Sequence, residues 1–206
     1  MKNEFLGLWE SVGAKGNALE TYDYLIKRYS EPHRFYHNQS HIKQCLAEAK
    51  QVRYLVKNYP ALKMAIWFHD IIYDPRGQNN EEKSAALAFI TLTGAFLNNN
   101  FAERVMNLVL ATKHVILPTD NDEKFIVDID LSSFGLPEEK FNENTQLIRQ
   151  EYDWVPTEIF ARERTKILKA FQARPTVFLT PFFQQKYEKT AQANLKHSIA
   201  QLSALF

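Results

Sequence analysis

The chain has 206 residues, a length that favours a single globular domain. Its formal net charge of +1 argues against a protein that coats a polyanion. Lys and Arg number 25 against 24 Asp and Glu. Because no dense basic stretch and no apolar stretch of membrane-spanning length occur, we expect neither a nucleic-acid polymer nor a membrane as a partner. A small anionic substrate needs only a few local cations and remains open, as does a homo-oligomer.

Cys45 is the only cysteine, which excludes an internal disulfide and fits a reducing compartment. Its place in an apolar stripe predicts a core side chain rather than a nucleophile. The N-terminal sequence MKNEFLGLWE lacks the apolar core of a signal peptide. These features predict a soluble, cytoplasmic protein.

Apolar periodicity predicts an all-α, single-domain bundle of about nine helices over residues 1–206. Asn17 is a predicted N-cap inside the first helical region, 1–30, and Asn38 or Ser40 begins the next helix. Pro60 opens a third helix at its first turn. The remaining predicted helices cover 80–97, 100–114, 123–134, 138–154, 157–173 and 181–205. Segment 123–134 alternates for a few residues, so a strand is the alternative there, but its helical neighbours favour a helix.

One stretch organises the chain, Ala65 to Asp74, with the sequence AIWFHDIIYD. Large apolar residues surround the adjacent pair His69 and Asp70, which predicts a helix buried on most of its circumference. An imidazole and a carboxylate buried side by side need partners. A divalent cation would satisfy both, and a hydrogen bond between the two side chains is the simpler explanation.

Two further motifs carry polar groups that suit the same chemistry. His41 stands in YHNQSHI with His37 four residues earlier. Asp128 and Asp130 lie in the apolar segment VDIDLSSFG, and two acids spaced by two cannot face one direction of a helix. We therefore expect at most one of these two acids to be a direct ligand.

The order His41, His69–Asp70, Asp130 in a helical chain resembles the HD-domain superfamily of metal-dependent phosphohydrolases. The strings RFYHNQSHI, WFHDIIYD, NEEKSA, ATKH and DIDLSSFG are similar to one uncharacterised bacterial branch of it. The resemblance covers a core motif region, 33–174, and leaves C-terminal helices in 175–206. It implies that His41, His69, Asp70 and Asp130 hold a divalent metal ion. Members that bind two metals have further histidines between the adjacent His69 and Asp70, the HD pair, and Asp130. Only His114 lies in that interval here, so we expect one metal ion.

The resemblance also implies a function, a phosphohydrolase that acts on a small phosphate ester, such as a nucleotide, through metal-activated water. Mixed nitrogen and oxygen ligation suits manganese, iron, cobalt, nickel or magnesium better than a closed structural zinc site, and the identity of the metal stays open. Two alternatives remain: a regulatory HD module that binds metal and a nucleotide without turnover, and a di-iron oxygenase on the same fold.

Several polar residues near these motifs are candidates for catalysis or substrate binding. Glu81 either positions the attacking water or is a helix N-terminal carboxylate, and Asp74 either orients a ligand or forms a turn. The candidate substrate-binding residues are Arg34, His37, Lys113, His114, Arg149 and Arg162.

Overall fold

The computed structural model describes all 206 residues and contains ten α-helices, one short 3-10 helix and no strand. The predicted all-α fold is confirmed. The helices are α1 (Lys2–Ser11), α2 (Ala18–Arg28), α3 (Gln39–Gln51), α4 (Tyr59–Phe68), α5 (Asn80–Gly94), α6 (Asn99–Ala111), α7 (Asn121–Asp130), α8 (Glu138–Glu151), α9 (Thr157–Gln172) and α10 (Pro181–Ser203), with the 3-10 helix at Leu131–Gly135 between α7 and α8.

The extra helix arises because the predicted first helix is two helices. Gly13 follows the end of α1 with a φ of +77°, the left-handed conformation that commonly ends a helix and that glycine adopts without strain. The chain then restarts at Asn17, whose side chain accepts hydrogen bonds from the backbone N–H groups of Leu19 and Glu20. The predicted cap at Asn17 is therefore confirmed.

Side-chain caps begin the two helices that carry the central motifs. The side chain of Asn38 accepts a hydrogen bond from the Ser40 backbone N–H and so starts α3 two residues before His41. The side chain of Asn58 caps α4, and Pro60 lies in its first turn as predicted. These caps set where each motif begins along its helix.

The helices form two compact units, Met1–Ile129 and Asp130–Phe206. In the first unit the aromatic side chains of Phe5 and Trp67 meet edge to face, with ring centroids 5.2 Å apart. Trp67 is completely buried. Burial of α4 on nearly every side confirms the apolar pattern of its sequence.

In the second unit, α10 is bonded to the 3-10 helix and the turn that follows it. The side-chain amide of Asn194 donates hydrogen bonds to the carbonyl oxygens of Phe134 and Leu136, at 2.8 and 2.9 Å. Tyr187, also on α10, occupies the space that a Cβ at Gly135 would need, so glycine permits this close approach.

Within the first unit, Asp122 anchors the start of α4. Its carboxylate accepts hydrogen bonds from the backbone N–H groups of Lys57 and Asn58, at 2.8 and 2.9 Å, and is fully buried. Arg104 lies 3.3 Å from the same carboxylate and compensates its charge. This anchor joins the N-terminal ends of α4 and α7, two helices of ten residues, about 15 Å, each.

None of the ten α-helices combines the length and the apolar composition that crossing a bilayer requires.

Candidate metal centre

Helix α4 ends at Phe68, earlier than the Ala65–Asp74 pattern predicts, and His69 is its C-cap. Side chains donate hydrogen bonds to the carbonyl groups at this end of the helix. The hydroxyl of Tyr29 donates to the carbonyl of Trp67 at 3.1 Å, and Nδ1 of His69 donates to the carbonyl of Ile66 at 2.9 Å. The HD pair therefore lies where the helix opens into a loop rather than inside a continuous helix.

Arg34 holds that loop in place. Its guanidinium donates to the carbonyl oxygens of Asp70 at 2.6 Å, Ile71 at 2.9 Å and His37 at 3.2 Å, and it pairs with the carboxylate of Glu31 at 3.0 Å. The residue is only 5% exposed. These hydrogen bonds connect the His41 motif loop to the backbone of the HD pair, and the phosphate contact of Arg34 stays a prediction.

Three donor atoms converge beyond α4. Nε2 of His41 lies 3.1 Å from Nε2 of His69, and Oδ2 of Asp70 lies 3.1 Å from Nε2 of His69 and 3.6 Å from Nε2 of His41. Two ligand atoms bound to one ion at about 2.0–2.2 Å are about 3.0–3.6 Å apart. The three separations therefore have the spacing of ligands that share one ion.

The tautomer of His69 strengthens this interpretation. Since Nδ1 donates its hydrogen to the carbonyl of Ile66, the Nε2 atom of the neutral ring carries a lone pair. That lone pair lies 3.1 Å from a carboxylate oxygen of Asp70, which also only accepts. Two acceptors at this distance are brought together by the N–H of the adjacent His41 ring, by a proton on the His69 ring or by a metal cation. The donor set thus fits a divalent ion.

An overlapping group shares the two histidines and contains two further side chains in place of Asp70. Asp130 is the last residue of α7 and so is positioned by that helix. The ligand atoms of His41, Cys45, His69 and Asp130 all lie within 4.8 Å of one another, a spacing that can hold a metal ion. Asp128 is fully buried and points about 200° away from Asp130 around α7, which agrees with the expectation that one of the two acids faces the site.

Glu81 lies near the centre on the first turn of α5. Burial, with a smaller contribution from the negative charge of Asp70, raises its pKa above the ordinary carboxyl range. The neighbouring Glu82 instead pairs with Lys113, which lowers the pKa of Glu82 and raises that of Lys113. Lys113, a predicted substrate contact, is therefore paired with a carboxylate in the structure.

Aromatic rings line the space beside His41. The ring of His37 stacks on that of Tyr73 with centroids 4.2 Å apart, and the His37 ring lies 6.0 Å from that of His41. Tyr36 approaches His41 at 5.1 Å. His37 is thus a neighbour of the site in a loop and not a residue of α3.

The structure places the other predicted residues as follows. Asp74 is exposed and its carboxylate accepts the Arg76 backbone N–H at 2.9 Å, which matches the predicted turn. His114 follows α6 with a φ of +59° and is half-buried.

In the second unit, Arg149 donates to the carbonyl oxygens of Tyr152 and Val155 after α8. Arg162 is exposed, with its guanidinium 5.6 Å from the ring centroid of Phe206.

The predicted core position of Cys45 is confirmed, since the residue is 1% exposed, and its place one turn after His41 puts both side chains on one face of α3. Sequence reasoning misses the structural role of Arg34, because no pattern signals that its hydrogen bonds go to backbone carbonyl groups 36 and 37 residues away.

Comparison of the chain with protein-family models, with curated proteins and with solved structures found no match.

Proposed function

We propose that this protein is a metal-dependent phosphohydrolase of the HD-domain type that acts on a small phosphate ester. The observation that carries the proposal is the convergence of His41 Nε2, His69 Nε2 and Asp70 Oδ2 at ligand spacing. The order of these residues along the chain, with Asp130 following, supports the HD assignment. Two imidazoles and carboxylates leave open positions for water and a phosphoryl oxygen on an ion of higher coordination number.

The residues around the centre have separate roles in the proposed reaction. A divalent cation, when bound, neutralises charge on the phosphoryl oxygens and lowers the pKa of water. Glu81, whose pKa is raised by burial, is suited to accept a proton from the attacking water. Arg34 fixes the backbone of Asp70 through the carbonyl group. His37 and Tyr73 form a stacked aromatic wall beside the centre, against which a substrate can pack.

The proposal predicts phosphate release that depends on metal. Protein stripped of metal should hydrolyse one or more members of a panel of nucleotides and sugar phosphates after manganese, cobalt, nickel, iron, zinc or magnesium is added, and a chelator should stop the reaction. Acid should also reduce activity, because ligation requires neutral imidazoles. Inactivity across the panel with every metal, together with tight nucleotide binding by calorimetry, would instead establish the regulatory module.

Glu81→Gln should lower kcat by about 10²–10⁴-fold, the usual contribution of a general acid or base, while it raises the stability of the metal-free protein at neutral pH. The raised folded-state pKa means that ionising Glu81 destabilises the fold. This destabilisation is absent below the unfolded-state pKa and grows as the pH rises through the folded-state pKa. Urea unfolding at acidic and neutral pH measures the change in stability, and steady-state phosphate release measures kcat.

Glu82→Gln is the matched control, since its pKa shifts in the opposite direction. The lowered pKa contributes stability above the unfolded-state pKa and loses it as the pH falls, so this variant should be less stable than the parent at neutral pH and retain its kcat. Equal loss of kcat in both variants would mean that Glu81 has no special role in proton transfer.

A further inference from the structure

Glu31 lies between α2 and α3, next to two arginines that both reach the loop of the HD pair. Its carboxylate lies 2.6 Å from Nη1 of Arg28 and 3.0 Å from Nε of Arg34. Each guanidinium also donates to the carbonyl oxygen of Ile71, Arg28 through Nε at 3.3 Å and Arg34 through Nη2 at 2.9 Å. One carboxylate therefore joins the two side chains that converge on one backbone group.

The buried charge of Arg34 depends on this carboxylate. The side chain of Arg34 is completely buried, whereas the side chain of Arg28 is 30% exposed and stays partly hydrated. A buried cation is costly unless an anion compensates it, and Glu31 is the carboxylate that pairs with the Arg34 guanidinium. Loss of the carboxylate would therefore disturb Arg34 more than Arg28.

The carboxylate of Glu31 also sets the direction of the Arg34 guanidinium. Because a guanidinium is planar and its N–H groups form a rigid fork, an acceptor at Nε determines where the other two nitrogens point. With Nε bound to Glu31, Nη1 of Arg34 donates to the carbonyl oxygen of Asp70 at 2.6 Å. Oδ2 of Asp70 lies 3.1 Å from Nε2 of His69 in the candidate centre. One side chain and one backbone group thus connect Glu31 to a proposed metal ligand.

We infer that Glu31 is a positioning residue of the metal centre, which acts through Arg34 on the backbone of Asp70 and so fixes the position of the Asp70 carboxylate. The inference rests on the metal centre of the proposed function and deepens it, because it adds a residue outside the ligand set that controls metal affinity. Replacement of a residue that orients a ligand typically lowers metal affinity or activity by about 10–100-fold. Replacing Glu31 should therefore weaken metal binding although no donor atom is removed.

The zinc affinity of Glu31→Gln tests this inference, measured on the metal-free full-length protein by competition with a chromophoric chelator. Glutamine is similar in shape but uncharged, and its NH₂ group would face one of the two guanidinium groups that the carboxylate now joins. Zinc affinity should fall by about 10–100-fold. Glu31→Asp, which keeps the charge on a shorter side chain, should show a smaller fall and serves as the second variant if circular dichroism shows that Glu31→Gln does not fold.

Glu163→Gln is the matched control. Like Glu31, Glu163 pairs with a cation three residues further along the chain, here Lys166 at 2.7 Å, but both side chains are exposed. Because an exposed pair contributes little to stability, this variant should keep the parental zinc affinity.

A double-mutant cycle separates positioning from a general loss of stability. If Glu31 acts through Arg34, Glu31→Gln should cause little further loss of zinc affinity in a protein that already carries Arg34→Ala, since the two changes then interrupt the same connection. Arg34→Lys replaces Arg34→Ala in this cycle if the alanine variant does not fold. A residue that only stabilises the fold would instead cause the same loss with and without Arg34.

The outcomes separate this inference from the proposed function. Unchanged zinc affinity in the folded Glu31 variants, or an equal loss with and without Arg34, would overturn the inference, and phosphate release could still establish the hydrolase. A loss that depends on Arg34, in a protein that releases no phosphate from any ester, would support the inference and overturn the hydrolase. Failure of the parent protein to bind zinc would overturn both.

Discussion

Asp70→Ala should remove stoichiometric metal from the purified protein and lower its metal affinity by at least about 100-fold, since loss of even a supporting partner costs about 10–100-fold. The substitution deletes the oxygen that lies 3.1 Å from one imidazole and 3.6 Å from the other. His69→Ala should have the same effect. Elemental analysis measures the metal content, and far-UV circular dichroism should show that the helices persist.

Asp74→Ala provides the comparison for this experiment. Asp74 is an acid in the same loop, four residues after Asp70, but it is exposed and its carboxylate accepts a backbone N–H of the turn. Its replacement should leave the metal content unchanged. Full metal occupancy in Asp70→Ala would contradict the proposed centre. Loss of metal in Asp74→Ala would support the alternative prediction that Asp74 orients a ligand.

Arg34→Ala should lower the free energy of unfolding by about 3–5 kcal/mol, the range for breaking a buried, charged network. Its removal takes a guanidinium donor from the carbonyl oxygens of Asp70 and Ile71, of which Ile71 keeps a longer hydrogen bond from Arg28 at 3.3 Å, and each buried group left unsatisfied costs about 1–3 kcal/mol. Since the loop of the HD pair loses its support, metal affinity should fall as well. Urea unfolding and zinc competition measure the two effects.

Arg34→Lys should recover little of the loss, because a single ammonium cannot reach the same acceptors with the fixed geometry of a guanidinium. Arg162→Ala is the control: this exposed residue should change stability by no more than about 0.5 kcal/mol. An Arg34→Ala protein with parental stability and metal content but a reduced kcat/KM would contradict this structural role and support the predicted contact of Arg34 with the phosphate.

The sequence predicts the fold well where local chemistry decides it. The caps at Asn17 and Asn38 follow from preferences that act within three or four residues, and Pro60 fixes the first turn of α4 in the same way. The break at Gly13 and Gly16 is not predicted, because glycine in a helical pattern is compatible with both a continuous helix and its end.

The site is less predictable, because long-range contacts decide which donors are used. The order of His41, His69, Asp70 and Asp130 indicates the ligand set, and the structure brings their motifs together. The end of α4 at Phe68 depends on hydrogen bonds from Tyr29 and Arg34, residues that lie far away in sequence. Periodicity cannot reveal such contacts, so the predicted helix is too long and the backbone contacts of Arg34 are not predicted.

The shared anchor at Asp122 makes the centre sensitive to the lengths of two helices. Both α4 and α7 start at this carboxylate. The number of residues between the anchor and His69 or Asp130 therefore determines the position of each proposed ligand side chain. One inserted residue turns everything beyond it by about 100° around the helix axis and advances it by about 1.5 Å. Homologous chains that keep the centre should therefore accept gaps in the loop after Asp70 and not between the anchor and the ligands.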